Sequence, residues 1–129
     1  MKKKLLLIDD DQEMCREMKE ILNDMDYCVD TVHDGHSAVD RAKNNEYNIL
    51  LLDLKIPGLN GLDVLKKVKE RSKMTKVMVL TGRPLLKQPF GEDAKSIEDE
   101  TIMKLADAVI SKPFDIEKVL DKIENLLPR

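Results

Sequence analysis

Five short apolar runs, at residues 5–8, 27–32, 49–52, 77–80 and 108–110, constrain the fold of this chain more than any other feature of its sequence. Each is rich in Leu, Ile and Val, often β-branched, and has the length of a strand rather than a helix. The first, third and fourth runs are almost continuously apolar, without polar alternation. A strand read this way is covered by helices on both faces, which is the situation of a parallel sheet.

Segments with helical spacing separate the runs. After Asp11, which is placed to cap a helix, Met14, Met18, Ile21, Leu22 and Met25 fall on one stripe of a 3.6-residue period. Residues 35–44 carry Ala38, Val39 and Ala42, and the Asn44-Asn45 pair marks a stop. Residues 61–71 bring Leu62, Leu65 and Val68 to one side. Residues 82–91 contain Pro84 and Pro89 and cannot form one regular helix. A fourth helix is therefore expected from about Ser96, with Ser96 and Asp99 as a variant capping box and Ile97, Thr101 and Leu105 on a shared face. Asp115 caps a last helix with Ile116, Val119, Leu120, Ile123, Leu126 and Leu127. Strand and helix alternate five times, so the expected architecture is a doubly wound (βα)5 α/β sandwich of three layers, a single domain over residues 1–129.

Composition excludes several classes of function. No apolar run approaches the roughly 20 residues that span a bilayer. The lysines at positions 2–4 are followed by only four apolar residues, too few for a secretory signal, so a cytoplasmic location is expected. The 22 basic and 25 acidic side chains are interspersed, for a net charge of −3, and no basic face for nucleic acid is expected. Cys15 and Cys28 lack metal-site or redox spacing and read as small apolar fillers. The seven Met residues read as core filler, and Lys66, Lys67 and Lys69 as a solvated helix face. His33, Asp34 and His36 read as surface residues at a helix start, away from the chemistry.

In an open parallel α/β sheet, ligands bind beyond the carboxyl ends of the strands. Asp9 and Asp10 follow the first run, Asp53 the third, Thr81 the fourth, and Ser111, Lys112 and Pro113 the fifth. One carboxylate after a strand reads as a turn or a cap, as Asp11 does. A converging set needs compensation, because two charges ~4 Å apart at an effective dielectric of ~20 cost about 4 kcal/mol to hold together. Lys112 supplies part of it, and a hard divalent cation suits oxygen ligands, with Mg2+ the natural candidate. A carboxylate beside a metal and a lysine is a sound phosphoryl acceptor, and Asp53, central in the sheet and followed by a turn with Pro57, Gly58 and Gly61, fits that role best.

Four blocks carry a family resemblance in order across the chain: residues 5–11 ending in Asp9-Asp10-Asp11, residues 53–61 beginning with Asp53, Thr81-Gly82, and Lys112-Pro113-Phe114. Together they resemble the motifs of the CheY-like receiver domains of two-component response regulators. The resemblance implies a flavodoxin-like five-stranded sheet of order 2-1-3-4-5. It implies that Asp53 accepts a phosphoryl group from a sensor histidine kinase or phosphotransfer protein. Mg2+ would be bound by Asp9, Asp10, Asp53 and the backbone carbonyl of Lys55. Lys112 would pair with the phosphoryl oxygens, and Thr81 would hydrogen-bond one of them and be drawn towards it. Gly82 matches a small residue that leaves space for the phosphoryl group, Pro113 a proline after a cis bond, and Lys55 and Arg83 side chains that tune phosphoryl lifetime. A downstream effector protein, an output domain beyond this segment, or a homodimer formed on phosphorylation would read the switch. Such a domain catalyses only its own phosphorylation and dephosphorylation and is not an enzyme acting on outside substrates.

Two positions depart from the family pattern. Val109 stands where an aromatic switch residue is usual, and the stretch from Thr81 to Lys112 is longer than usual, with the extra residues in 82–91. Leu85, Leu86 and Phe90 of that stretch read as core filler or as a partner-binding patch. Three other readings fit less well. A haloacid-dehalogenase-type phosphatase needs a second carboxylate where Lys55 stands. A flavodoxin-like cofactor binder needs a phosphate loop where Asp9, Asp10 and Asp11 would repel phosphate, and a phosphorylation-dead scaffold would normally lose part of the acidic set.

Overall fold

The computed structural model describes residues 2–82 and 97–127. Strands and helices alternate throughout: β1 (Lys4–Ile8), α1 (Gln12–Asp24), β2 (Cys28–Val32), α2 (Gly35–Asn44), β3 (Ile49–Asp53), α3 (Gly61–Arg71), β4 (Lys76–Thr81), α4 (Ile97–Met103), β5 (Ala108–Ser111) and α5 (Ile116–Leu126). All strand pairs are parallel, in the order β2-β1-β3-β4-β5. The expected sheet order and three-layer architecture are both observed.

The continuous apolar runs become the three central strands, whose residues are almost entirely buried. Because side chains alternate across a strand, each run serves two cores. Leu6, Ile8, Leu50, Leu52, Val77 and Val79 face α2, α3 and α4, whereas Leu5, Leu7, Ile49, Leu51, Met78 and Leu80 face α1 and α5. Burying each such side chain is worth about 1.5–3 kcal/mol, so the sheet is a stiff platform for whatever its ends carry.

Helix starts follow the expected chemistry with one exception. Asp11, Asp34 and Asn60 each accept a hydrogen bond from the backbone N–H three residues on, at 3.0, 2.7 and 3.0 Å. Asp115 occupies the cap position of α5, but its side chain makes no capping bond. Its carbonyl oxygen instead accepts from the N–H groups of Lys118 and Val119.

Several sequence expectations are corrected by tertiary packing. On α1 the buried stripe is Cys15, Met18 and Leu22, while Ile21 and Met25 lie at its rim, 40% and 50% exposed. Cys15 is buried on the sheet side of the helix and Met14 packs only partly against the same core. On the α4 side Ile102 and Met103 enter the core, and Thr101 and Leu105 are exposed; the helix ends at Met103, so its period does not extend to Leu105. Cys28 opens the edge strand β2 and is exposed rather than a filler. Met74 is 87% exposed on the α3–β4 turn, against the expectation of core filler. Lys66 and Lys67 are exposed as expected, but Lys69 turns inward to an ion pair with Asp107 at 2.6 Å. The capping pair Ser96 and Asp99, and Arg83, Leu85, Leu86 and Phe90, lie outside the residues whose side chains are described. Among the described residues, no helix is long and apolar enough to cross a membrane.

Candidate functional site

Parallel strands deliver their carboxyl ends to one edge, and the polar residues that follow them meet there. Asp9 and Asp10 follow β1, Asp53 ends β3, Thr81 ends β4 and Lys112 follows β5. Each of Asp9, Asp10 and Asp53 offers a carboxylate oxygen within 4.8 Å of the others. Asp9 is fully buried, Asp53 is 6% exposed, and Asp10 is open to solvent. Lys112 Nζ stands between two of them, 2.7 Å from Asp9 Oδ2 and 3.2 Å from Asp53 Oδ2. The remaining oxygens are tied to the main chain: Asp9 Oδ1 accepts from the N–H of Asp11 and Asp53 Oδ1 from that of Lys55, both at 3.0 Å.

The electrostatics are strained towards positive charge. Burial pushes the Asp53 carboxyl above its ordinary range, the Lys55 N–H opposes this, the Asp9 charge adds to it, and Lys112 pulls it back. Burial works against the Lys112 ammonium, yet the bond to Asp9 and the charges of Asp53 and Asp9 outweigh it, so Lys112 is held above its usual range. The Lys112 ammonium pairs with two of the three carboxylates, Asp9 and Asp53. The donor set is all hard oxygen, which fits a small divalent cation such as Mg2+ and would suit a soft thiophilic metal poorly.

Thr81 is 1% exposed and pairs in register with Ser111, while its carbonyl oxygen accepts from the Lys112 N–H at 2.7 Å, so β4 and β5 carry the hydroxyl and the ammonium as one unit. The Lys112–Pro113 bond is cis, as the resemblance implied. A Cβ on Gly82 would meet no atom of the described residues within 4 Å. A cleft lined by Asp11, Met14, Gly82, Lys112, Pro113 and Phe114 opens beside the cluster. Val109, at the usual aromatic position, pairs with Val79 and packs partly buried against the core that includes Ile102 and Met103.

Among the described residues, every sequence-predicted site residue lies in the segments that form this edge, although the Lys55 side chain is exposed. Three neighbours escaped sequence reasoning. His33 was expected away from the site, but it follows β2 at the same edge, and its Nδ1 donates to the carbonyl oxygen of Asp9 at 2.9 Å. His36 also lies at this edge, its ring beside Gly58. Cys15 sits beneath Asp9, its Sγ 3.4 Å from the same carbonyl; burial first, then the Asp9 charge, push its thiol up to about 12. The strand-end rule that found Asp9 applied equally to His33, because β2 ends one residue before it.

The response regulator receiver domain model matches residues 5–124. The chain belongs to that family, whose members are phospho-accepting modules of two-component signalling. Among curated relatives, the response regulator ArlR of Staphylococcus aureus is 32% identical over 128 residues, which cover 97% of this chain and 52% of ArlR. The chain thus spans about half the length of the curated relatives it matches. Among solved structures, a CheY-like receiver domain protein from Methanospirillum hungatei superposes with a TM-score of 0.82 at 27% identity, covering 98% of this chain and 94% of that one. The response regulator TrrA from Thermotoga maritima, solved in complex with Mg2+–BeF, gives a TM-score of 0.80 at 25% identity, covering 97% and 99%.

Proposed function

We propose that Asp53 accepts a phosphoryl group from the phosphohistidine of a sensor histidine kinase or phosphotransfer protein, and that the modified domain then presents an altered binding surface to an effector. The observation that carries this reading is the buried cluster itself: Asp9, Asp10 and Asp53 within 4.8 Å, with Lys112 bridging two of them.

In the transfer, an Asp53 oxygen forms the new bond to phosphorus as the phosphorus–nitrogen bond of the donor breaks and the imidazole leaves with its electron pair. Lys112, already paired with Asp53, stays with the phosphoryl oxygens. Thr81, at the end of β4, supplies a hydroxyl to one of them, and its movement converts added charge into a change of the β4–α4–β5–α5 face. Asp9, Asp10, Asp53 and the Lys55 backbone carbonyl would hold Mg2+, and the likeness to a protein solved with Mg2+–BeF supports that ion. When bound, the ion neutralises the crowded carboxylates and the phosphoryl oxygens. The protein turns over no outside substrate and works in the cytoplasm.

The greater length of the curated relatives favours a second form of the same reading, in which this segment is the receiver portion of a longer regulator. The length of the native open reading frame separates the two forms. Intact-mass analysis after treatment with acetyl phosphate and Mg2+ tests the core of the reading. A gain of one phosphoryl group, lost in Asp53→Asn, is expected; an unchanged mass of the untreated-like protein would end it.

A further inference from the structure

The turn joining β2 to α2 touches both chain segments that carry the acidic cluster. On one side, His33 donates to the Asp9 carbonyl oxygen at 2.9 Å. On the other, the Gly35 N–H donates to the carbonyl oxygen of Pro57 at 3.0 Å, inside the loop that runs from Asp53 to α3. The turn is itself fixed, because Asp34 Oδ1 accepts the Ser37 N–H and Oδ2 its hydroxyl, both at 2.7 Å.

Gly35 has no room for a side chain. A Cβ there would lie 1.8 Å from the carbonyl oxygen of Leu59 and 2.6 Å from its carbonyl carbon, contacts with backbone that no rotamer change can relieve. The same loop is closed at its far end by Gly61, where a Cβ would stand 2.4 Å from Leu54 Cα and whose N–H donates to the Leu54 carbonyl oxygen at 3.1 Å. Between them Gly58 adopts a left-handed φ of 78° with the His36 ring against it. The loop is thus clamped from the α2 side, and Lys55, whose N–H holds Asp53 Oδ1, is part of it.

We propose that Gly35 is a positioning residue of the divalent-cation site: it lets the β3–α3 loop lie directly on the start of α2, and so sets where the Lys55 main chain stands relative to Asp53. This rests on the reading of Asp53 and Lys55 as cation ligands. Gly35 touches neither. Inserting a methyl group forces the loop and the helix apart by more than an ångström, and Mg2+ tolerates little displacement of its ligands because it demands near-ideal octahedral geometry. Outer partners of a metal site cost about 10–100-fold in affinity when altered.

The test compares wild type, Gly35→Ala, Leu59→Gly and Val68→Ala. Mg2+ affinity is measured by calorimetry, folding by circular dichroism, and phosphorylation by acetyl phosphate is followed by intact mass across a Mg2+ series. Leu59→Gly loosens the same contact from the loop side and decides the matter if Gly35→Ala does not fold. Val68→Ala opens the α3 core away from the loop and reports general destabilisation. The expected result is a Mg2+ dissociation constant raised about tenfold or more in Gly35→Ala and raised also in Leu59→Gly. Val68→Ala should match wild type, and saturating Mg2+ should bring the phosphorylation rate of the loop variants back towards wild type. Wild-type Mg2+ affinity in folded Gly35→Ala, or in Leu59→Gly where the first does not fold, overturns the inference. So does an equal loss in Val68→Ala. Failure of wild type itself to gain a phosphoryl group would instead sink the phospho-acceptor reading, a distinguishable outcome.

Discussion

Replacing Asp53 with Asn should stabilise the metal-free protein, although it removes the group on which function depends. The carboxylate oxygens of Asp53, Asp9 and Asp10 stand within 4.8 Å of one another. At an effective dielectric of ~20, each repulsion at that distance costs about 3.5 kcal/mol, and the attraction of Lys112 at its closer range returns about 5 kcal/mol. Screening of the exposed Asp10 lowers its share, while the burial of Asp53, the largest influence on its carboxyl, restores the balance towards destabilisation. Asn retains a carbonyl oxygen for the Lys55 N–H. The expected gain is about 2 kcal/mol, and with an unfolding entropy of about 2.1 cal/mol/K per residue that raises the melting temperature by about 7 °C. Because the Asp53 carboxyl is held above its unfolded value, its cost is fully present above the folded value, declines as pH falls below it and is gone below the unfolded value, so the two proteins should converge in acid. Calorimetric melting in chelator reads the first effect. Mg2+ at about a hundred times its dissociation constant should then add about 2.7 kcal/mol to wild type and much less to the variant. A variant that melts at or below wild type in chelator at neutral pH would refute the reasoning.

Two further outcomes follow from other buried groups. Asp107→Ala should cost about 3 kcal/mol, because it leaves the largely buried Lys69 ammonium with the Thr75 carbonyl oxygen but no counter-charge and takes the acceptor from the Val77 N–H, whereas Lys69→Met should cost about 1 kcal/mol, since Asp107 keeps that N–H and Lys76 nearby; urea titrations showing the reverse order would contradict this. Native alkylation at pH 8 followed by peptide mapping should label Cys28 and spare Cys15, whose thiol is buried and pushed up to about 12; rapid labelling of both would show that the floor beneath Asp9 opens readily.

What the sequence disclosed depended on how local the signal was. The central strands were legible because a sheet covered on both faces imprints an unbroken apolar run, and Asp9, Asp10, Asp53, Thr81 and Lys112 were legible because topology brings strand ends together without reference to side-chain detail. Ile21 and Met25 lie at the rim of α1 rather than in the core, because a period gives a helix face only to within a residue and tertiary packing decides the rest. Lys69 looked like one more solvated lysine, since its partner Asp107 lies 38 positions away, in another strand connection. Gly35 gave no signal beyond that of a helix start. Its meaning comes from Leu59, which only the folded chain sets against it.

The two edges of the sheet differ in a way that identifies the working one. At the amino edge charges are matched locally: Asp107 pairs with Lys69 and faces Lys76, while Thr75 donates to the Tyr47 carbonyl oxygen. Among the described residues these contacts leave little for a ligand to add. At the carboxyl edge, among the described residues, three carboxylates crowd together and Lys112 pairs with two of them, Asp9 and Asp53. Such an imbalance lowers stability and gains nothing within the chain, so it persists where a cation and a transferred group complete it. A sheet stiff enough to hold that imbalance in place is what the continuous apolar runs supply, which ties the least specific feature of the sequence to its most specific chemistry.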